Sequence, residues 1–212
     1  MSSFQLKMIA VITMLIDHIG AVIFPDLIVL RIIGRLAFPL FAFLITEGYR
    51  HTSNFNRYLG RLFIFAIISQ YPFWLAFGFD AGLNIFSTLF LGLIAIHSSE
   101  IIKNIIPVFL FAIIADLIGA DYGLFGIFLI YLIHDFRDNY KLMLMYVSGL
   151  YVFIFVFIGT ITSENVTFYY IQLFALISFL FIKIYNGSQG PKLKYFFYLF
   201  YPLHLLILGL LF

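Results

Sequence analysis

M-I-A-V-I-T-M-L-I-D-H-I-G-A-V-I-F, running from Met8 to Phe24, is apolar almost throughout and is interrupted by Asp17 and His18. Runs of roughly 17–25 such residues are long enough to cross a bilayer as a helix. An ionised carboxylate near the middle of such a helix costs about 2.5–3.5 kcal/mol on insertion scales, so groups of this kind face a protein-lined or watery interior and mark a site. The stretch therefore predicts an integral membrane protein that handles protons or a polar substrate within the membrane. It lacks a small-x-small exit, so it reads as a retained helix and not as a cleaved signal.

The rest of the chain supports this reading. Of 212 residues, 64% are hydrophobic, 21% aromatic and only 10% charged, against about 25% charged in soluble domains. A water-soluble fold has no means of hiding that much apolar surface. There is no cysteine, which excludes disulfides, thiolate metal sites and a cysteine nucleophile. No metal and no nucleic-acid partner are expected; membrane lipid is.

Nine apolar segments read as helices: 7–24, 28–48, 58–77, 84–98, 101–119, 122–134, 141–160, 167–185 and 194–212. The fourth and sixth are short enough to be partial or strongly tilted. No connecting segment is long enough for a soluble domain, and no internal repeat is visible. With the N-terminus placed inside, the inner ends hold Lys7, Arg50, Arg57, Arg61, Lys103, Arg137, Lys141, Lys183, Lys192 and Lys194. The outer loops then hold only acids, Asp26, Asp80, Asp121 and Glu164. This bias follows the positive-inside rule and predicts an all-α, polytopic helical bundle of about nine spans, N-terminus inside and C-terminus outside.

Depth along each span follows from the rise of about 1.5 Å per residue. His18 lies eleven residues beyond Lys7, and His204 ten beyond Lys194; both come out near the midplane. Arg35 and Gln70 fall at similar depth, so Asp17, His18, Arg35, Gln70 and His204 are expected in one layer. Each has a structural alternative. His204, after Tyr201-Pro202, and Gln70, before Tyr71-Pro72, can satisfy backbone groups freed by proline, and for Gln70 this is the preferred reading. Arg35 can be a counter-ion for Asp17. Asp17 and His18 themselves point about 100° apart on a helix, so one interhelical bond does not account for both.

A second cluster is expected at the inner face: Glu47, Arg50, His51, Thr52, Arg57 and Arg61. Topology signal and lipid contact explain Arg57 and Arg61. The helix-ending E-G-Y-R-H-T, Glu47 to Thr52, offers donors, an acceptor and a base within about one turn, and basic residues there suit the phosphates of a cytoplasmic cofactor. A weaker outer group comprises Asn84, Thr88, Asp116 and Tyr122.

Several of these segments together resemble the TraX family of membrane proteins. They are K-M-I-A-V-I-T-M-L-I-D-H-I-G (Lys7–Gly20), G-R-L-A-F-P-L-F-A-F-L-I-T-E-G-Y-R-H-T-S-N (Gly34–Asn54) and R-Y-L-G-R-L-F-I-F-A-I-I-S-Q-Y-P-F (Arg57–Phe73). N-I-F-S-T-L-F-L-G-L (Asn84–Leu93), D-Y-G-L-F-G-I (Asp121–Ile127) and F-Y-L-F-Y-P-L-H-L (Phe197–Leu205) continue the likeness. The stretch 137–195 adds little to it. The resemblance implies one transmembrane acyltransferase-like domain over 1–212 in a bacterial inner membrane. It implies the family's activity, N-terminal acetylation of the pilin subunit of conjugative pili, and likeness to a wider group of membrane acyltransferases that draw acetyl-CoA from the cytoplasm. Those enzymes often place a basic residue, then ten intervening positions, before a catalytic histidine. Lys7 and His18 have that spacing, with lysine where arginine is usual.

The roles implied are His18 as base, Asp17 fixing a neighbouring group, His204 as a second proton-transfer group or oxyanion donor, and Arg35 on developing negative charge or an acceptor carboxylate. Glu47, Arg50, His51, Arg57 and Arg61 would bind the acyl-CoA donor. The acceptor, a peptide N-terminus or a glycan, is left open, as is the oligomeric state. The competing class is a proton-coupled transporter, since intramembrane Asp, His and Arg also build proton relays; the missing repeat counts against it.

Overall fold

The computed structural model describes residues 1–162, 169–191 and 193–212, leaving the side chains of Thr162 and Lys194 aside. Glu164 and Lys192, two of the charges used to orient the chain, lie outside the described residues. The described residues are helical, and their one β-type pairing is an isolated bridge between Leu83 and Ala120. The elements are α1 (Ser3–Val22), α2 (Ile28–Gly34), α3 (Ala37–Arg50), α4 (Phe55–Phe77), α5 (Ile85–Ile102), α6 (Ile106–Leu117), α7 (Gly123–Asp135) and α8 (Tyr140–Tyr151). A π-helical stretch, Val152–Ile158, runs from α8 into α9 (Gly159–Thr162). After a 3₁₀ stretch, Ile171–Ile177, come α10 (Ser178–Lys183) and α11 (Lys194–Leu211).

Among the described residues, five stretches are long and apolar enough to cross a membrane: Ser3–Val22, Ile28–Arg50, Phe55–Phe77, Ile85–Ile102 and Tyr140–Ile161. Four shorter apolar helices, Ile106–Leu117, Gly123–Asp135, Ile171–Lys183 and Tyr195–Leu211, fall on the other four predicted segments. Two boundaries differ from the sequence reading. The segment 28–48 is broken at Arg35-Leu36, because Pro39 has no N–H to return to the Arg35 carbonyl. The helix expected over 101–119 starts only at Ile106: α5 runs on to Ile102, and Lys103 then takes a left-handed conformation (φ 55°) that ends it.

The chain groups into two compact units, one of Met1–Leu44 with Asp135–Lys194, the other of Ile45–His134 with Tyr195–Phe212. In the first, α1 and α2 lie against each other through glycines. A Cβ on Gly20 would meet the Leu30 side chain, and one on Gly34 would fall within the Asp17 carboxylate. Small residues at such crossings let helix backbones approach closely. The start of α1 is held by the segment after α10, with Ser3 N donating to Ser188 O (2.8 Å) and Phe4 N to Gln189 O (3.1 Å). These bonds, and a capping box between Ser2 and Gln5, satisfy amide groups that a helix start leaves without partners.

In the second unit, Leu91, Ala95, Val108, Ala112, Ala115, Ala120 and Ile127 form a buried core among α5, α6 and α7. The start of α5 is locked by Asn84, which is fully buried. Its side-chain amide donates to Ala66 O and Gln70 Oε1 (2.7 Å each), and its Oδ1 accepts from Phe86 N (3.0 Å). Large apolar side chains face outward in rows, among them Phe63, Ile64, Ile67, Ile68 and Tyr71 on α4 and Phe109, Leu110, Ile113 and Leu117 on α6. Such contiguous surfaces are a liability in water and suit a hydrocarbon solvent.

Candidate functional site

Asp17 is held by two guanidinium groups. Arg35 Nη2 lies 2.5 Å and Arg31 Nη1 3.1 Å from Asp17 Oδ1. Arg31 Nη1 also donates to the Asp17 carbonyl (2.9 Å), and Arg35 Nε to the Arg31 carbonyl (3.1 Å). On its far side Arg35 Nη1 donates to Gln172 Oε1 (3.3 Å). The side chains of Arg35, Asp17 and Arg31 are 6%, 13% and 23% exposed. Gly34 makes room for this arrangement, since its missing side chain is what admits the carboxylate to the α1–α2 crossing. Charge-assisted bonds of this kind are short and strong. Asp17 thereby anchors α1 against α2, and His18, half-buried on α1, is the next residue along the chain.

Arg35 is thus a counter-ion for Asp17, one of the two readings open to it from sequence. The other members of the expected layer belong to the second unit. Gln70 ties down the loop before α5: its Nε2 donates to Gly82 O (2.8 Å), joined there by Trp74 Nε1 (2.8 Å), while its Oε1 accepts from Asn84 N (3.0 Å). This is a structural role, served on a neighbouring loop and not on a backbone group freed by Pro72. His204 is 6% exposed, with Nδ1 on Phe200 O at 2.7 Å and the Phe200 ring stacked at 4.9 Å. The outer group also finds backbone partners: Asn84 as above, and the Thr88 hydroxyl on Asp121 O.

At the α3–α4 hairpin, Gly48 lets the Tyr58 hydroxyl approach the end of α3, where it donates to Ile45 O (3.4 Å). Asn54 caps α4 by accepting from Arg57 N (2.8 Å). Glu47 is buried, while Arg50, His51 and Arg57 are exposed. His51 Nδ1 lies 2.9 Å from Glu47 O. Arg61, one turn into α4, lays its guanidinium 5.3 Å from the centre of the Tyr58 ring. The hairpin tip therefore presents exposed cations, with Arg61 half-buried behind them.

The same end of α3 carries a network that the sequence reading missed. The Tyr49 hydroxyl donates to Glu100 Oε2 (2.5 Å) and lies 2.9 Å from His97 Nδ1. His134 Nε2 lies 2.9 Å from the other Glu100 oxygen, and Phe55 stacks on His97 at 3.7 Å and 22°. Among the described residues, no group of three or more His, Asp or Glu side chains is arranged to hold a metal ion.

The model of the TraX protein family matches residues 2–212. The chain belongs to the TraX family. The match spans the Asp17 ion-pair cluster, the α3–α4 hairpin and the Tyr49 network alike. A probable fimbrial assembly protein, FimC of serogroup H1, from Dichelobacter nodosus is 30% identical over 98% of this chain and 94% of its own length. An uncharacterized protein of Rickettsia prowazekii (strain Madrid E) is 38% identical over 87 residues, 41% of this chain and 33% of that protein. No solved structure matches the chain.

For this TraX-family chain the sequence held signals for what was missed. Arg31 sits one turn before Arg35, so both reach the same side of α2. His97 and Glu100 are three apart on one helix face and end α5 as Tyr49 ends α3. Gln172 carried no such signal, because its partner lies 137 residues away.

Proposed function

We propose that this protein is a membrane-embedded acetyltransferase that moves an acetyl group from cytoplasmic acetyl-CoA to an amine or hydroxyl of a membrane-associated or extracytoplasmic acceptor. The observation that carries the reading is the Asp17 carboxylate, gripped by Arg31 and Arg35 inside an apolar helix and followed directly by His18. Helix α1 is thereby pinned to α2 at the residue before a titratable imidazole within an apolar run. Histidine suits the base role because its ordinary pKa lies near working pH. His18 takes the acceptor's proton as the acceptor attacks the thioester carbonyl. Asp17 and Arg35 act by holding α1 in place, and His204 is a second candidate for proton transfer. Arg50, Arg57 and Arg61, with Glu47 and His51 beside them, bind the phosphates of CoA at the α3–α4 hairpin. Guanidinium groups suit this task through paired N–H donors.

Family membership supports a pilus-related acceptor, and the Dichelobacter relative, a probable fimbrial assembly protein, points the same way. A free peptide N-terminus is accordingly preferred over a glycan hydroxyl. The N-terminus is placed in the cytoplasm of a bacterium, with the chain in its inner membrane, so that the donor arrives from inside.

The test is the appearance of free thiol when protein purified into nanodiscs is given acetyl-CoA, with and without a short peptide bearing a free α-amine. Protein-dependent thiol release is expected. Its absence in both conditions, together with proton-driven uptake of a solute, would replace this reading with that of a transporter.

A further inference from the structure

The Tyr49 network has no part in the roles assigned above, and its hydrogen-bond directions are fixed by counting protons. The Tyr49 phenol has one hydrogen and gives it to Glu100. The hydrogen in its bond to His97 must therefore come from the ring, so Nδ1–H donates to the phenol oxygen. His97 keeps that hydrogen in both of its charge states, and only Nε2 exchanges a proton. Glu100 accepts from Tyr49 on one oxygen and pairs with His134 on the other. Phe55 fixes the plane of the His97 ring. An imidazole with one fixed tautomer, oriented through a hydroxyl by a carboxylate, is how folds prepare a proton-transferring group. The network lies where the donor is proposed to bind: Arg50 follows Tyr49 on α3, and Arg57 lies in the turn of α4 that begins with Phe55.

We propose that His97 is the proton donor to the sulfur of the departing CoA, with Tyr49 and Glu100 as its positioning residues. The assignment rests on the acetyltransferase reading. The acceptor nitrogen forms its bond to the carbonyl carbon and its proton passes to solvent. The carbon–sulfur bond then breaks, its electron pair stays on sulfur, and the His97 Nε2 proton passes to that sulfur to give CoA thiol. The neutral ring takes a proton back from solvent, so the sum is amine plus thioester to amide plus thiol.

The full chain in nanodiscs is tested as wild type, His97→Gln, Tyr49→Phe and Glu100→Gln, with two donors: acetyl-CoA, and S-phenyl thioacetate, whose thiolate leaves without a proton. His97→Gln is expected to lower kcat with acetyl-CoA by about 10²-fold, the low end for acid–base catalysis because a thiolate is already a fair leaving group, at unchanged KM. The rate with S-phenyl thioacetate should stay near wild type. Tyr49→Phe and Glu100→Gln should show smaller losses in the same pattern. Equal losses with both donors would make the network structural and overturn the assignment, as would an undiminished rate with acetyl-CoA. A wild-type protein that releases no thiol from either donor would overturn the acetyltransferase reading itself, an outcome distinct from the other two.

Discussion

Asp17 shares its charge between Arg31 and Arg35, and the three side chains are worth more together than any pair suggests. Removing one partner of a buried ion pair leaves an uncompensated charge, at a cost of about 3–5 kcal/mol. Asp17→Asn should therefore lower the unfolding temperature in detergent sharply. Arg35→Gln, at the more buried position, should cost more than Arg31→Gln, and the reverse order would mean that Arg31 is the main counter-ion. Gly34→Ala should mimic Asp17→Asn, because the new Cβ displaces the carboxylate. The double variant should fall well short of the sum of the two, as neighbours do; full additivity would place the glycine's role elsewhere. From sequence, Asp17 and Arg35 were legible as a pair because a charge inside an apolar run demands a partner. Arg31 was legible only through its place one turn before Arg35, and Gln172 not at all, since nothing in a one-dimensional pattern says which segment far along the chain a short helix meets.

The α3–α4 hairpin is the element on which donor binding turns. Arg57 is exposed in the first turn of α4, whereas Arg61 is half-buried over the Tyr58 ring. Arg57→Glu is thus the cleaner probe: it should raise the KM for acetyl-CoA more than it lowers kcat. The effect should shrink as salt rises, because exposed charges are screened over about 8–10 Å. Reversal at Arg50, beside Tyr49, should be the most damaging of the three. If calorimetry finds donor affinity unchanged by all three reversals, the cluster serves topology alone. At this scale the apolar periodicity showed where helices lie, but not where they break. The interruption at Arg35-Leu36 follows from Pro39, and the stop after Ile102 from a left-handed Lys103, which no residue preference announces.

For the whole molecule, basic residues at one end of the spans and acids at the other predict sidedness. A reporter fused after Phe212 should read as external and one within Asn186–Pro191 as cytoplasmic; the opposite pair would invert the membrane orientation and remove cytoplasmic donor entry. Helical segments at all nine places were legible from hydropathy, yet among the described residues five reach membrane-spanning length. Segment length reflects turn chemistry that composition blurs. The division of the chain into two units was not legible, since the expected layer drew Gln70 and His204 together with Asp17 on depth alone. The role proposed for His18, beside the anchored Asp17, is that of base in an acetyl transfer. Its most direct test is the turnover and CoA affinity of His18→Ala in nanodiscs. A fall in kcat of about 10²–10⁴-fold is expected, with CoA binding by calorimetry nearly unchanged. Near-normal turnover in a folded His18→Ala protein would contradict it and pass the role to His204 or His51.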